Sequence, residues 1–224
     1  MLNPQLEVSL LKPEEAEQYM RIRHEVFRPT MNKIFYSRGE PSQKTLDRVT
    51  EETRDGIINK GIFYLKCTDR STGEMIGGAR WRYAKPKEEG ARERTWDEVE
   101  AGFTIPEPYD ESNPGLIRNL HRLLNTNKRA ILGNRPYYTL VTCVVLPQHE
   151  RRGAGSMLVQ WGCERADEAG VEAYLEASLV GAPMYARHGF KPVKQIELDT
   201  KKFGAEENEQ FILMLRPAKA DGTP

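Results

Sequence analysis

Apolar residues along this chain switch between a spacing of two and a spacing of three to four, and the switches divide it into strands and helices. The alternation at 7–11 predicts a first strand. Pro13 opens a helical pattern through Ala16, Tyr19, Met20, Ile22 and Phe27, acidic in its first turn and ended by Pro29. Residues 31–44 are mixed and turn-rich and read as a loop, and 46–60 carry a second helix with Leu46, Val49, Thr53 and Ile57 on one face. Strand patterns at 62–67 and 75–83, joined by a turn ending at Gly73, predict a hairpin. A charged stretch from Lys85 to Arg94 follows, then Trp96 and Phe103, then a helix from about Gly115 to Leu132 through Leu116, Leu120, Leu123 and Leu124.

The densest patterning lies between Tyr137 and Phe190. A β-branched and aromatic strand, 137–146, is closed by Pro147 and followed by the turn Glu150-Arg151-Arg152-Gly153-Ala154-Gly155-Ser156. A helix with Ala154, Met157, Leu158, Trp161, Ala166 and Ala169 on one face runs to a stop at Gly170. A short strand at 173–180 and a helix of about two turns between Pro183 and Gly189 complete the segment. Further alternation at 193–198 and 210–215 predicts two closing strands, with 218–224 a frayed tail. The hairpin and the strand at Tyr137 make an antiparallel meander. The whole is an α/β (α+β) chain: a mixed, largely antiparallel central sheet of about seven strands flanked by helices, with a helical insertion at about 85–136 between strands 3 and 4, forming a single domain over 1–217.

A strand, a glycine turn and a helix start together suit an anion, because first-turn amides lack intrahelical partners and the macrodipole is positive there. Arg151 and Arg152 add mobile positive charge. The turn alone is equally compatible with a tight connection. A Walker loop would need a Lys-Ser or Lys-Thr pair where Ser156-Met157 stands, and a dinucleotide fingerprint would need glycine at Leu158.

The rest of the segment adds an ordered series: Val145-Leu146-Pro147, Arg152-Gly153-Ala154-Gly155, Leu175-Glu176-Ala177-Ser178, and Met184-Tyr185-Ala186-Arg187-His188-Gly189-Phe190. Over about a quarter of the chain this series resembles the GNAT superfamily of acyl-CoA-dependent N-acyltransferases. The resemblance implies acetyl-CoA as co-substrate, its pyrophosphate cradled by Arg151, Arg152, Gly153, Ala154, Gly155 and Ser156. It places the pantetheine arm beside Cys143, Val144 and Val145 as an added strand would lie, with Ser178 near it. It makes Tyr185 the acid that serves the departing thiolate, in a reaction where the amine attacks directly. It also makes the loop at 31–44 a wall of the acceptor pocket and the insertion a lid or specificity element. Two positions depart from the family pattern. Glu150 stands where Gln or Arg is usual, and Ser178 stands where an asparagine is common.

Glu176 is the candidate base, since on a strand it would face the same way as Ser178; a water chain is the alternative. Cys143 reads as a small hydrophobe rather than a nucleophile, His188 as a cation at a helix end, and Trp96 and Phe103 as pocket walls or loop anchors. The expected acceptor is a small-molecule or peptide amine. A catalytically silent CoA-binding sensor or scaffold is the alternative that Glu150 favours. A Rossmann-type phosphate binder would need parallel strands where the chain offers a meander.

Composition adds boundaries. The chain of 224 residues has 33 basic and 33 acidic side chains, a balance that argues against a general nucleic-acid or anionic-membrane binder. Its longest apolar run is too short to span a bilayer, and its start lacks the pattern of a signal peptide. Three scattered cysteines suit a reducing compartment, so a cytoplasmic or nuclear location is expected, and four separated histidines suggest no metal site. Oligomeric state, monomer or homodimer, is open at this level.

Overall fold

The computed structural model of the chain describes residues 3–85 and 106–219. Seven strands form one sheet in the order β1-β2-β3-β4-β5-β7-β6. They are β1 (Leu6–Leu10), β2 (Phe63–Asp69), β3 (Met75–Ala84), β4 (Tyr137–Val145), β5 (Glu172–Ala177), β6 (Lys191–Leu198) and β7 (Glu209–Arg216). The helices are α1 (Ala16–Phe27), α2 (Asn32–Phe35), α3 (Gln43–Ile58), α4 (Pro114–Leu132), α5 (Ala154–Glu168) and α6 (Ala182–Ala186). Neighbouring strands pair antiparallel except β4 and β5, which are parallel. Among the described residues no helix is long and apolar enough to cross a membrane.

The expected architecture holds, and local chemistry moves several boundaries. Residues 13–15 form a 3-10 turn before α1 begins at Ala16. The loop at 31–44 contains α2, which buries Asn32 and Ile34, and α3 starts at Gln43 because Ser42 caps it by accepting from the Thr45 N–H at 3.4 Å. The strand expected over 173–180 stops at Ala177; the Ser178 hydroxyl accepts from the Gly181 N–H at 3.1 Å, turning the chain and leaving Leu179 and Val180 exposed. The charged stretch together with Trp96 and Phe103 lies in 86–105, outside the described residues, as does the tail from 220.

Two layers cover the sheet. On one face α5 packs Leu158, Val159 and Cys163 against Leu65, Ala79, Trp81 and Leu140. On the other, α1 covers β2 and β3 with Tyr19 and Ile22, while α4 lays Leu116 and Leu120 over Tyr174 and Leu213. The insertion helix α4 starts where Asn113 Oδ1 accepts from the N–H groups of Gly115 (3.0 Å) and Leu116 (3.3 Å).

Buried or hydrogen-bonded carboxylates fasten the layers. Glu111, just before α4, accepts from the Ser42 N–H and the Thr45 hydroxyl, each at 2.7 Å, and these bonds at the start of α3 push its pKa down to about 2. Asp167 takes a bidentate pair from Arg216 at 2.6 and 2.8 Å; burial alone would raise its pKa, but Arg216 and Lys219 overcome that and hold it low. Both folded values lie below the unfolded ones, so the stability they contribute is present above pH of roughly 4 and is lost as pH falls through the folded values. We expect the urea midpoint to drop between pH 4.5 and 2.5, and to drop less in Glu111→Gln and Asp167→Asn. An equal drop in the variants would remove these two groups as the cause.

Candidate active site

The site begins where β4 leaves β5. Their parallel pairing runs from Tyr137↔Glu172 to Leu140↔Leu175 and ends there, so Val141–Val145 have no partner strand on that side among the described residues. At the same point β4 bulges: Leu140 pairs with Trp81 but Thr142 pairs with Arg80, leaving Val141 unmatched. The bulge changes which residues face α5. Before it these are Tyr138 and Leu140, and after it Cys143 and Val145, while Val144 turns to the α1 side. Leu146 donates its N–H to the Ile76 carbonyl at 2.9 Å, so by alternation the Val144 amide also serves β3 and those of Cys143 and Val145 point into the gap.

The turn at 150–155 stands at one mouth of this gap. Arg151 has φ 62 and Gly153 φ 97, and the first bond of α5 runs from the Met157 N–H to the Gly153 carbonyl at 3.0 Å. The N–H groups of Ala154, Gly155 and Ser156 therefore have no intrahelical partner. A Cβ at Gly153 would meet nothing within 4 Å, so that glycine is required by its left-handed backbone; one at Gly155 would approach Met184 Sδ at 3.1 Å. Glu150 and Arg151 are exposed.

Arg152 is not mobile. Its guanidinium donates to Asp69 Oδ2 at 2.5 Å and lies 2.8 Å from His149 Nδ1, while its carbonyl accepts from Asn3 Nδ2 at 3.1 Å. Asp69 also accepts from the Ser71 N–H and hydroxyl, and these bonds with Arg152 hold its carboxyl far below the usual range. The side chain thus fixes the turn from behind, leaving Arg151 as the exposed cation. Ser156 is likewise engaged: its hydroxyl is 2.8 Å from His188 Nε2, whose Nδ1 is 3.2 Å from Gln160 Oε1. A neutral imidazole protonated at Nδ1 satisfies both contacts, and burial with Arg187 and Arg216 nearby lowers the His188 pKa. The expected cationic helix end is replaced by a neutral bridge between the loop after α6 and α5.

Tyr185, on α6, packs on the α5 side beside Cys143 and Val145 and edge-on to Phe190, with ring centroids 6.3 Å apart. Burial, reinforced by Cys143, raises its pKa well above the ordinary phenol value, and burial pushes the Cys143 thiol up to about 12. Both stay protonated at neutral pH, which removes Cys143 as a nucleophile. Ser178 lies past the end of β5 with its hydroxyl on the Gly181 turn.

Glu176 opens on the opposite face. It lines a cavity of about 470 Å³ between α4 and the sheet, with Arg80, Arg82, His121, Lys128 and Thr139. Glu176 Oε1 lies 3.2 Å from Lys128 Nζ, an ion-pair distance off the hydrogen-bond direction. Burial first, then Lys128 and Arg80, lower the His121 pKa, so its imidazole is neutral near pH 7. Residues 31–44, expected to wall an acceptor pocket, do not line this cavity; the insertion helix does. Sequence reading missed Arg80, His121 and Lys128. The available signals were the period-two pair Arg80 and Arg82 on β3, and the spacing of His121, Asn125 and Lys128 along one face of α4.

The family pattern of the Acetyltransferase (GNAT) family matches residues 51–190, more than half of the chain. The chain belongs to the GNAT acetyltransferase family. Its GNAT fold is similar to that of arylalkylamine N-acetyltransferase 2 from Aedes aegypti, with a TM-score of 0.66 and 13% identity over 96% of this chain and 99% of that one. It is also similar to mosquito arylalkylamine N-acetyltransferase like 5b, with a TM-score of 0.62 and 15% identity over 95% and 99% of the two chains. A histone acetyltransferase HPA2 and related acetyltransferase from Corynebacterium glutamicum aligns with a TM-score of 0.59 and 16% identity over 98% of this chain and 99% of that one. At these identities the likeness is one of fold. The GNAT match includes the β4 divergence, the turn at 150–155 and Tyr185.

Proposed function

We propose that this chain moves the acetyl group of acetyl-CoA to a primary amine of a small molecule or peptide by direct attack. The observation that carries the reading is the gap between β4 and β5 beyond Leu140, with unpaired α5 amides at one mouth and a polar cavity at the other. The amides of Ala154, Gly155 and Ser156 suit the pyrophosphate, with Arg151 as a mobile cation. The inward amides of Cys143 and Val145 suit a pantetheine arm lying as a missing strand, and one of them can meet the thioester carbonyl as its oxygen gains charge.

The amine enters from the cavity on the α4 side. It must shed a proton, and Glu176 or the neutral His121 can receive it. A carbon–nitrogen bond forms, the carbon–sulfur bond breaks, and the sulfur leaves as a thiolate held by a hydrogen bond from the hydroxyl of Tyr185, then takes its proton from solvent. Glu176 and Tyr185 lie on opposite faces of the sheet, which suits an amine and a leaving group on opposite sides of one carbonyl.

Calorimetric titration with acetyl-CoA tests the first step. We expect micromolar binding that is lost when Gly153 and Gly155 are both replaced by valine, since Gly153 needs its positive φ and a larger Gly155 meets Met184. A retained circular-dichroism spectrum in the variant excludes misfolding as the cause. No binding by the unaltered chain would remove the reading.

A further inference from the structure

The cavity beneath α4 carries more positive charge than its own carboxylate can neutralise. Lys128 is compensated by Glu176 at 3.2 Å and lies 5.6 Å from the centre of the Tyr174 ring. Among the described residues Arg80 and Arg82 have no such compensation. Arg80 Nε is buried without a hydrogen-bond partner among the described residues, and so is Thr139 Oγ1 on the adjacent strand. His121 from α4 and Tyr19 from α1 lie within electrostatic reach of Arg80 and neither is an anion at neutral pH, while Glu176, the one carboxylate lining the cavity among the described residues, is paired with Lys128. Arg80 pairs across the ladder with Thr142 and Arg82 with Thr139, so the two arginines border β4 on either side of the bulge where the gap begins.

A buried guanidinium donor without an acceptor is unfavourable, and the same cavity holds two unsatisfied oxygens, Thr139 Oγ1 and Glu176 Oε1. A ligand that satisfies the set must bring an anion with two acceptor oxygens for the arginine fork and a nitrogen carrying donors for the oxygens. A simple arylalkylamine or a polyamine would bring positive charge towards two arginines and leave Arg80 unpaired. A volume of about 470 Å³ suits a molecule of amino-acid size.

We propose that the acceptor is a small amine bearing a carboxylate, an amino acid or a close relative, held by Arg80 and Arg82 so that its amino group lies at the β4–β5 gap beside Glu176. This rests on the acetyl-transfer reading above. The test is CoA-thiol release from acetyl-CoA with matched pairs that differ only in the carboxylate: phenylalanine and phenylethylamine, lysine and cadaverine, glutamate and γ-aminobutyrate, the last comparing two carboxylates with one. The carboxylate-rich member should have at least tenfold higher kcat/KM in one or more pairs. Arg80→Gln should collapse that ratio by about tenfold, chiefly through KM of the acid, whereas Arg21→Gln, on the exposed side of α1, should not change it. Preference for the decarboxylated member, an unchanged ratio in Arg80→Gln, or turnover of neither member overturns the acceptor assignment. Calorimetry run on the same sample separates this from failure of the underlying reading: a protein that does not bind acetyl-CoA fails there, whatever amine is offered.

Discussion

Replacing Tyr185 by phenylalanine should lower kcat for acetyl transfer by about 10²-fold while acetyl-CoA still binds. The size follows from the environment of the hydroxyl. Burial beside Cys143 holds the phenol well above its ordinary pKa, whereas a thiol ionises near 8.5, so complete proton transfer from Tyr185 to a thiolate is uphill. What the phenol supplies at low cost is a hydrogen bond to sulfur as charge develops there, and loss of one such donor sets the expected loss. The ring itself packs edge-on to Phe190 and over Gly181, where an added Cβ would stand 3.2 Å from it, and phenylalanine preserves both contacts. Single-turnover measurement at saturating acetyl-CoA checks the prediction. An unchanged rate would sink the assignment of Tyr185 and leave the departing sulfur to be served by solvent.

Gly162→Ala should destabilise the fold by about 3 kcal/mol, although glycine-to-alanine in an exposed helix gains about 1. The sign reverses because α5 meets β3 at this residue: a Cβ there would stand 2.1 Å from Trp81 Cε2 and 2.3 Å from Cζ2. Trp81 cannot yield, since its ring is fully buried and its Nε1 donates to the Leu158 carbonyl at 3.2 Å. In a chain of this length that loss corresponds to a fall of roughly 10 °C in melting temperature. Pairing the change with Trp81→Leu should recover part of the loss relative to the sum of the two single variants, because the smaller side chain vacates the collision. Strict additivity would show that the contact is not the cause.

Arg152 and Glu176 show why site roles are harder to read than elements. Both were legible as polar residues next to a binding motif. The partner of Arg152, Asp69, lies 83 positions away on another hairpin, and Lys128, opposite Glu176, belongs to the insertion helix. Charges choose partners through space, and no local spacing records that choice. The same holds for His188, whose neutral bridge to Ser156 and Gln160 depends on how the α6 segment docks on α5.

Sequence by itself determined the seven strands, the flanking helices apart from α2, the glycine turn into α5 and the Tyr185 to Phe190 ending, because period, capping residues and turn glycines act within a few residues of chain. Tertiary structure alone decided where β4 parts from β5, which of its amides face the gap, and which cations gather under α4. A bulge at Val141 needs a register on both sides to exist, and a cavity needs walls drawn from β3, β4, β5 and α4 at once.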